Sequence, residues 1–122
     1  MKRLVVLGGG ESGVGTAILG KKQGYDVFVS DFGKIQQKYQ DVLIQYQIKF
    51  EDEKHTEELI LNADVVMKSP GIPDKAPIVK KLIEKGIPVI SEIEFATPYT
   101  NAITIAIINT SFLFILSASF QN

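Results

Sequence analysis

A glycine-rich turn close to the amino terminus has the residue types that could bind a phosphate group. Gly8, Gly10 and Gly13 follow a short apolar run and fit the pattern G-x-G-x-x-G. In this pattern the first glycine permits a tight turn, the second lets a ligand approach the backbone, and the third lets a helix pack closely on a strand. Backbone N–H groups at the start of a helix favour an anion. The turn therefore predicts a nucleotide-phosphate site, in which Ser12 offers a hydroxyl.

Two other polar segments are expected near this turn. Asp31 lies 18 residues beyond Gly13, close to the spacing at which an acidic side chain binds a ribose hydroxyl. Ser69-Pro70-Gly71 follows another predicted strand. Because parallel strands end at the same edge of a sheet, the three segments should surround one ligand. A simpler interpretation also stands, in which Asp31 caps a turn and residues 69–71 form a rigid turn.

Candidate catalytic groups are few. His55 is the only histidine, and no serine, cysteine or second histidine is near it in sequence, so we interpret it as a solvated loop residue and not as a general base. Glu11 puts a carboxylate at the glycine turn, which is unfavourable beside a pyrophosphate unless the side chain points away. Binding of a ligand is better supported than catalysis, and we predict neither a catalytic residue nor a metal ligand.

Apolar patterns along the chain predict alternating strands and helices. The predicted strands span residues 3–7, 26–30, 48–50, 63–68, 87–90 and 102–108. Five helices are predicted. The first starts at a Ser12 cap and ends at Gly24, the second follows an apolar stripe from Ile35 to Tyr46, and the third begins at Thr56. The fourth runs from Pro77 to Gly86, and the fifth starts at a capping box of Ser91 and Glu94. This alternation is typical of an α/β protein. We predict a Rossmann-like, doubly wound parallel sheet of about five to six strands with helices on both faces.

The length, charge and composition of the chain limit the classes of protein to which it could belong. The chain has 122 residues, which is enough for one domain with a core but not for two ordinary ones. Its 13 basic and 14 acidic residues give a net charge of -1, so charge does not favour a nucleic acid partner. The absence of cysteine agrees with a reducing, cytoplasmic environment. Before residue 100 no apolar run approaches the length of a membrane span, so no membrane partner is expected there.

Four segments, in this order, resemble the amino-terminal domain of the Mur ligases. They are residues 8–15 (GGGESGVG), 29–31 (VSD), 68–73 (KSPGIP) and 91–95 (SEIEF). The resemblance covers about residues 3–107 and is strongest to the branch of the family that adds D-glutamate to UDP-N-acetylmuramoyl-L-alanine. It implies a Rossmann-like domain that binds the UDP part of this substrate in peptidoglycan synthesis, and not a dinucleotide.

The resemblance also implies roles for individual residues. Those implied to contact the diphosphate are Gly10, Glu11, Ser12 and Gly13, and those implied to contact the uridine are Asp31, Phe32, Gly33, Ser69, Pro70 and Gly71. A full-length family enzyme uses ATP and Mg2+ to convert the substrate carboxylate to an acyl phosphate, which the amine of D-glutamate then attacks. No cofactor is implied for this chain by itself.

The carboxyl end departs from the family pattern. We expect a UDP-substrate-binding domain over residues 1–108 and an atypical apolar tail over residues 109–122, because the family phosphate loop T-G-x-N-G-K-T/S is not found after residue 108. The chain alone is therefore expected to be inactive as a ligase. A shortened or altered reading frame, or an excised domain, would explain the tail, and its polar residues disfavour a membrane span.

Two alternative functions remain open at this point. The glycine pattern together with Asp31 also fits a small module that binds NAD or FAD. The same fold could instead serve as a non-catalytic interaction domain whose contacts are made through the tail. Binding of uridine ligands, of NADH or of neither would discriminate among the three.

Overall fold

The computed structural model of the chain describes residues 1–99, and the structural statements below concern that part. Its strands are β1 (Arg3–Leu7), β2 (Asp26–Ser30), β3 (Lys49–Glu51), β4 (Val65–Lys68) and β5 (Val89–Ile90). Its helices are α1 (Glu11–Lys22), α2 (Gln37–Gln45), α3 (Glu57–Ile60), α4 (Pro77–Glu84) and α5 (Glu92–Ala96), followed by a 3-10 helical turn at Thr97–Tyr99. Strands and helices alternate along the chain as the sequence predicts.

The five strands form one parallel sheet in the order β3-β2-β1-β4-β5. The strand order reverses at β1, which lies in the centre between β2 and β4. In a sheet of this kind, ligands bind in the crevice outside the carboxyl ends of the strands next to the reversal. The prediction of an α/β fold with a Rossmann-like, doubly wound parallel sheet is confirmed.

The central strand is covered on both faces. Leu4 and Val6 pack in a cluster with side chains of α1, α2 and α5, whereas Val5 and Leu7 pack with side chains of α3 and α4 on the other face. All four side chains are 0% exposed. This explains why β1 is continuously apolar instead of alternating, and burial of each side chain stabilises the fold by about 1.5–3 kcal/mol. The packing on both faces therefore fixes the position of β1 and of the turn that follows it.

The amino-terminal edge of the sheet is held by Arg3. Its guanidinium donates hydrogen bonds to Asn62 Oδ1 at 2.9 Å, to Asp26 Oδ2 at 2.7 Å and to the Leu59 carbonyl oxygen at 2.8 Å. The Arg3 backbone N–H also donates to Asp64 Oδ2 at 2.7 Å. One residue thereby joins β1 to β2, to α3 and to the segment between α3 and β4.

Three helices end in the same hydrogen-bonding arrangement. After α1 and α4 the chain turns at Gly24 and Gly86, with φ of 89° and 77°, where the sequence predicts helix ends. After α2 the equivalent residue is Gln47, with φ of 58°. The N–H groups of Gln47 and Ile48 donate to carbonyl oxygens of the last turn of α2 at 3.0 and 2.9 Å. Because this left-handed conformation favours glycine, Gln47 is a strained position.

α1 starts before its predicted cap. Its first residue is Glu11 and its N-cap is Gly10. The Val14 N–H donates to the Gly10 carbonyl oxygen at 2.9 Å, so Ser12 already lies inside the first turn. The prediction of Ser12 as the cap is wrong because the extended backbone of Gly10 lets the helix start directly from the glycine turn.

α5 starts as the sequence predicts. The Ser91 N–H donates to Glu94 Oε1 and the Glu94 N–H donates to Ser91 Oγ, both at 3.1 Å. This reciprocal pair of bonds is a capping box. The boundaries of the last two strands are less accurate, since β4 begins at Val65 and β5 at Val89, each two residues later than predicted.

Several expectations concern the carboxyl end of the chain. The predicted strand at 102–108, the domain boundary after residue 108 and the apolar tail at 109–122 all lie outside the described residues. Within residues 1–99, none of the helices combines the length and the apolar character needed to cross a lipid bilayer.

Candidate functional site

Three segments meet where the central strands end. Leu7 is paired with Ser30 of β2 and with Lys68 of β4. The Gly8 N–H donates to the Ser30 carbonyl oxygen at 2.9 Å. The Ser69 N–H donates to the Leu7 carbonyl oxygen at 3.0 Å. The glycine turn, the segment after β2 and the loop after β4 therefore lie side by side, as the parallel sheet requires.

The glycines of the turn are needed for different reasons. Gly8 has φ of 104°, a conformation that strongly favours glycine. A Cβ on Gly13 would lie 1.8 Å from the Gly8 carbonyl oxygen, so a side chain there would force the helix away from the turn. Gly9 occupies a variable position of the pattern, yet a Cβ there would lie 2.6 Å from Ile35 Cδ1. A Cβ on Gly10 would meet no atom within 4 Å, so the fold itself does not require this glycine.

The start of α1 presents hydrogen-bond donors at the turn. The bond from Val14 N–H to Gly10 begins the helix, and in the described part of the chain the N–H groups of Ser12 and Gly13 have no backbone acceptor. Such groups, together with the positive end of the helix dipole, stabilise an anion. Glu11 lies in the same first turn with its side chain exposed. The turn thus offers backbone donors and the Ser12 hydroxyl to a phosphate group.

Asp31 connects the glycine turn to the segment after β2. Its Oδ2 accepts a hydrogen bond from the Gly9 N–H at 2.8 Å, and its Oδ1 accepts one from the Gly33 N–H at 2.9 Å. The carboxylate therefore stabilises both turns, which is the simpler of the two interpretations of this residue. Each oxygen keeps a lone pair for a further donor, so contact with a ribose or a base stays a prediction.

The loop after β4, residues 69–71, is closed by Lys68. The Lys68 Nζ donates to the Ile72 carbonyl oxygen at 2.6 Å and lies 3.3 Å from Asp74 Oδ1. The Oγ of Ser69 is buried against the glycine turn, and no described residue forms a hydrogen bond with it. A buried hydroxyl without a partner is costly. The Ser69 hydroxyl is packed beside Gly8, where a Cβ would lie 2.6 Å from its oxygen.

A cleft of about 520 Å³, called the main cleft below, opens between the segment after β2 and the loop after β4. Residues that line it include Asp31, Phe32, His55, Gly71, Ile72 and Lys81. Its volume is typical of a site for a small ligand. Phe32 is 75% exposed, so an aromatic face is open to whatever enters.

The main cleft brings together only part of the predicted uridine contacts. Asp31, Phe32 and Gly71 line the main cleft. Gly33 does not line it, but its N–H donates a hydrogen bond to Asp31. Pro70 instead lines a second cleft of about 430 Å³, between the end of β4 and α5. The predicted set is thus divided between the two sides of the loop after β4.

His55 is the residue whose surroundings the sequence did not indicate. It is half-buried, and its Nδ1 lies 2.7 Å from the Oγ of Ser30, 25 positions away in sequence. Its ring also faces Phe32, with ring centroids 5.6 Å apart. His55 lies in a loop as predicted, but it is only partly solvated, because the end of β2 and the segment after β3 pack together. No local pattern of residues signals this contact.

Glu51 completes the hydrogen-bonded group around Ser30. The Ser30 Oγ donates to Glu51 Oε1 at 2.9 Å, and the hydroxyl of Thr56 donates to Glu51 Oε2 at 2.6 Å. Burial raises the pKa of Glu51, but the hydrogen bonds from Thr56 and Ser30 and the charge of Lys54 outweigh it, so the net pKa is lowered. For His55, burial lowers the pKa, against the smaller opposite effect of Glu51 and Asp31. The imidazole is therefore neutral and the carboxylate is ionised near neutral pH.

These features define a Rossmann-like domain with a glycine turn and a cleft at the switch point of its sheet. A family model described as the MurD N-terminal domain matches residues 3–78. The chain belongs to this family.

Two curated relatives carry the name UDP-N-acetylmuramoylalanine--D-glutamate ligase. The one from Christiangramia forsetii is 65% identical over 106 residues, which cover 87% of this chain and 24% of that protein. The one from Bacteroides thetaiotaomicron is 58% identical over 107 residues, which cover 88% of this chain and 24% of that protein. The chain thus spans about a quarter of the length of these relatives.

Solved structures of related ligases share the fold. A pseudomurein peptide ligase type C from Methanothermus fervidus superimposes with a TM-score of 0.70 at 28% identity, over 82% of this chain and 21% of that chain. The UDP-N-acetylmuramate-alanine ligase MurC from Thermotoga maritima superimposes with a TM-score of 0.66 at 19% identity, over 78% of this chain and 22% of that chain. The second likeness concerns the fold alone.

Proposed function

We propose that this domain binds the UDP part of UDP-N-acetylmuramoyl-L-alanine, as the substrate-binding part of a ligase that adds D-glutamate in peptidoglycan synthesis. The observation that carries the proposal is the hydrogen bond from the Gly9 N–H to Asp31 Oδ2, because it joins the glycine turn to the main cleft. The turn suits a diphosphate, and the adjacent cleft suits a nucleoside. The names of the two curated relatives support the same substrate.

In this proposal the diphosphate lies at the start of α1. Gly10 leaves room for it, since a Cβ there would meet no atom within 4 Å. Ser12 donates through its hydroxyl and its N–H, and Gly13 donates through its N–H. Glu11 contributes through its backbone only, because a carboxylate beside a diphosphate is repulsive.

The uridine occupies the main cleft in the same proposal. The exposed ring of Phe32 stacks on the base, an interaction worth about 1–3 kcal/mol in single-stranded nucleic acid complexes. Asp31 and Gly33 hold the segment that carries this ring. The loop at residues 69–71 borders the ligand from the other side through Gly71, which lines the main cleft.

Formation of the amide bond is assigned to parts of the enzyme other than this domain. Among residues 1–99, no group of three or more His, Cys, Asp or Glu side chains could hold a metal ion. Following the resemblance to the Mur ligases, we propose that ATP and Mg2+ act in the full-length enzyme, in the cytoplasm, and that this chain alone forms no amide.

A dinucleotide-binding module is the second candidate. The sheet order and the glycine pattern also occur in proteins that bind NAD or FAD. Both oxygens of the Asp31 carboxylate accept backbone hydrogen bonds, from Gly9 and Gly33, and each keeps a lone pair that a ribose could use. The uridine ligand is preferred because the two curated relatives are named for a UDP substrate.

Isothermal titration calorimetry on the whole chain tests the proposal. UDP and UDP-N-acetylmuramoyl-L-alanine are expected to bind, and NADH is not. Binding of NADH without binding of either uridine ligand would contradict the proposal, and binding of none would favour an interaction domain. Release of ADP from ATP in the presence of D-glutamate and the muramoyl substrate is expected to be nil.

A further inference from the structure

The main cleft contains a histidine to which the proposed function gives no role. His55 lines the cleft, and its Nδ1 lies 2.7 Å from the Oγ of Ser30. The same Oγ lies 2.9 Å from Glu51 Oε1 and 3.3 Å from the Lys54 carbonyl oxygen. Three polar atoms therefore surround one hydroxyl.

The hydroxyl of Ser30 has one proton, and this limits how the group can be arranged. The Glu51 carboxylate and the Lys54 carbonyl oxygen can only accept. Hydrogen bonds to an ionised carboxylate are stronger than those between neutral groups, so Ser30 donates to Glu51. The remaining contact is then a bond from the His55 Nδ1–H to the Ser30 Oγ, which fixes the proton of a neutral imidazole on Nδ1.

With the proton on Nδ1, the other ring nitrogen of His55 is an acceptor. Burial lowers the pKa of His55, so the ring stays neutral near pH 7 and Nε2 keeps its lone pair. Within residues 1–99, no hydrogen bond is made to Nε2. Nδ1 is taken up by Ser30, and Nε2 is the nitrogen that remains for the cleft.

The group is not a hydrolase triad, although it contains a serine, a histidine and a carboxylate. Ser30 is 0% exposed, so its Oγ cannot reach a substrate. The order of bonds is also reversed, because the serine lies between the histidine and the carboxylate and serves to orient the ring. The arrangement fits recognition of a ligand and not nucleophilic attack.

We propose that His55 determines base specificity by accepting, at Nε2, a hydrogen bond from the N3–H of a uracil ring stacked on Phe32. This inference rests on the proposed function. Uracil carries a hydrogen on N3, whereas cytosine has a lone pair there. Cytosine would therefore bring two lone pairs together and leave Nε2 without a donor, which selects UDP over CDP.

Calorimetry with UDP and CDP tests this role directly. The unmodified chain is expected to bind UDP about 5- to 100-fold more tightly than CDP. This range corresponds to the cost of leaving one buried polar group without a hydrogen bond. The substitution His55→Leu is expected to abolish this preference. Glu58→Leu, at an exposed position of α3 outside the cleft, is the matched control and is expected to keep it. A preference that survives His55→Leu overturns the inference.

Nitrogen NMR of the imidazole gives a second readout that needs no variant. His55 is the only histidine of the chain, so its ring signals are assigned without ambiguity. The free protein is expected to show the Nδ1–H tautomer, and UDP is expected to shift the Nε2 resonance. The opposite tautomer, or an unchanged Nε2 resonance in the UDP complex, would overturn the role of His55.

The outcomes separate the two proposals. If UDP binds but CDP binds equally well, His55 does not read the base and the proposed function stands. If UDP does not bind, both proposals fail. Thermal unfolding monitored by circular dichroism verifies that His55→Leu is folded, and the NMR readout applies even if it is not.

Discussion

Gly10 is the position at which binding of the diphosphate can be separated from folding. It is the N-cap of α1, its backbone is extended, and a Cβ there would meet no atom within 4 Å. Asp and Asn are both favoured N-caps, and each exceeds glycine by a few tenths of a kcal/mol. We therefore expect Gly10→Asp and Gly10→Asn to unfold at or slightly above the temperature of the unmodified chain.

The two variants have nearly the same shape but differ in charge, and this difference sets the expected size of the effect; the amide N–H donors of Asn act in the same direction. An aspartate at the N-cap would place a negative charge beside a phosphate bound at the helix start. For two unit charges about 5 Å apart, at an effective dielectric constant between about 20 and 80, the repulsion is about 1–3 kcal/mol. Gly10→Asp should therefore bind UDP about 5- to 150-fold more weakly than Gly10→Asn.

Calorimetric titration of both variants with UDP, at low and at moderate ionic strength, measures this difference. Salt is expected to reduce it, because part of the repulsion crosses solvent. Uridine, which has no phosphate, serves as the control ligand and should bind both variants equally. Equal affinity of the two variants for UDP would refute the placement of the diphosphate at the glycine turn.

Three further predictions concern single positions. Ser12→Ala should weaken UDP binding by about 1–2 kcal/mol, the scale of one charge-assisted hydrogen bond, and an unchanged calorimetric affinity would count against its hydroxyl. Gly13→Ala should lower the free energy of unfolding in urea by about 3 kcal/mol or more, because its Cβ would lie 1.8 Å from the Gly8 carbonyl oxygen; a loss below about 1 kcal/mol would mean that α1 shifts easily. Gln47→Gly should raise the same free energy by about 1 kcal/mol, since it relieves a left-handed conformation, and no gain would show that Gln47 is unstrained.

The fold was predictable because its signals are local. The continuous apolar run Leu4–Leu7 identifies a strand covered on both faces, and Gly24 and Gly86 mark the ends of α1 and α4, where the backbone adopts a left-handed conformation. Each signal involves residues within one element or its immediate boundary.

Of the candidate site, only those parts that lie within one segment of the chain could be predicted from the sequence. The glycine turn and Asp31 were located by pattern and spacing, but the contact of Asp31 with Gly9 depends on how β1 and β2 pair. The contact between Ser30 and His55 depends on the packing of the segment after β3, which no periodicity indicates. The need for glycine at position 9 likewise arises from Ile35, 26 positions further on.

The hydrogen bonds of Arg3 have a mechanical consequence for ligand binding. They fix β1 to β2 and to the segment before β4 at the amino-terminal edge of the sheet. A strand of five residues spans roughly 16 Å, and at its opposite end backbone hydrogen bonds from Gly8 to Ser30 and from Ser69 to Leu7 join β1 to its two neighbours. A UDP group bridging the turn and the main cleft would hold these strands at that second end. Occupancy of the site would then stiffen the whole sheet and raise the free energy needed to open it.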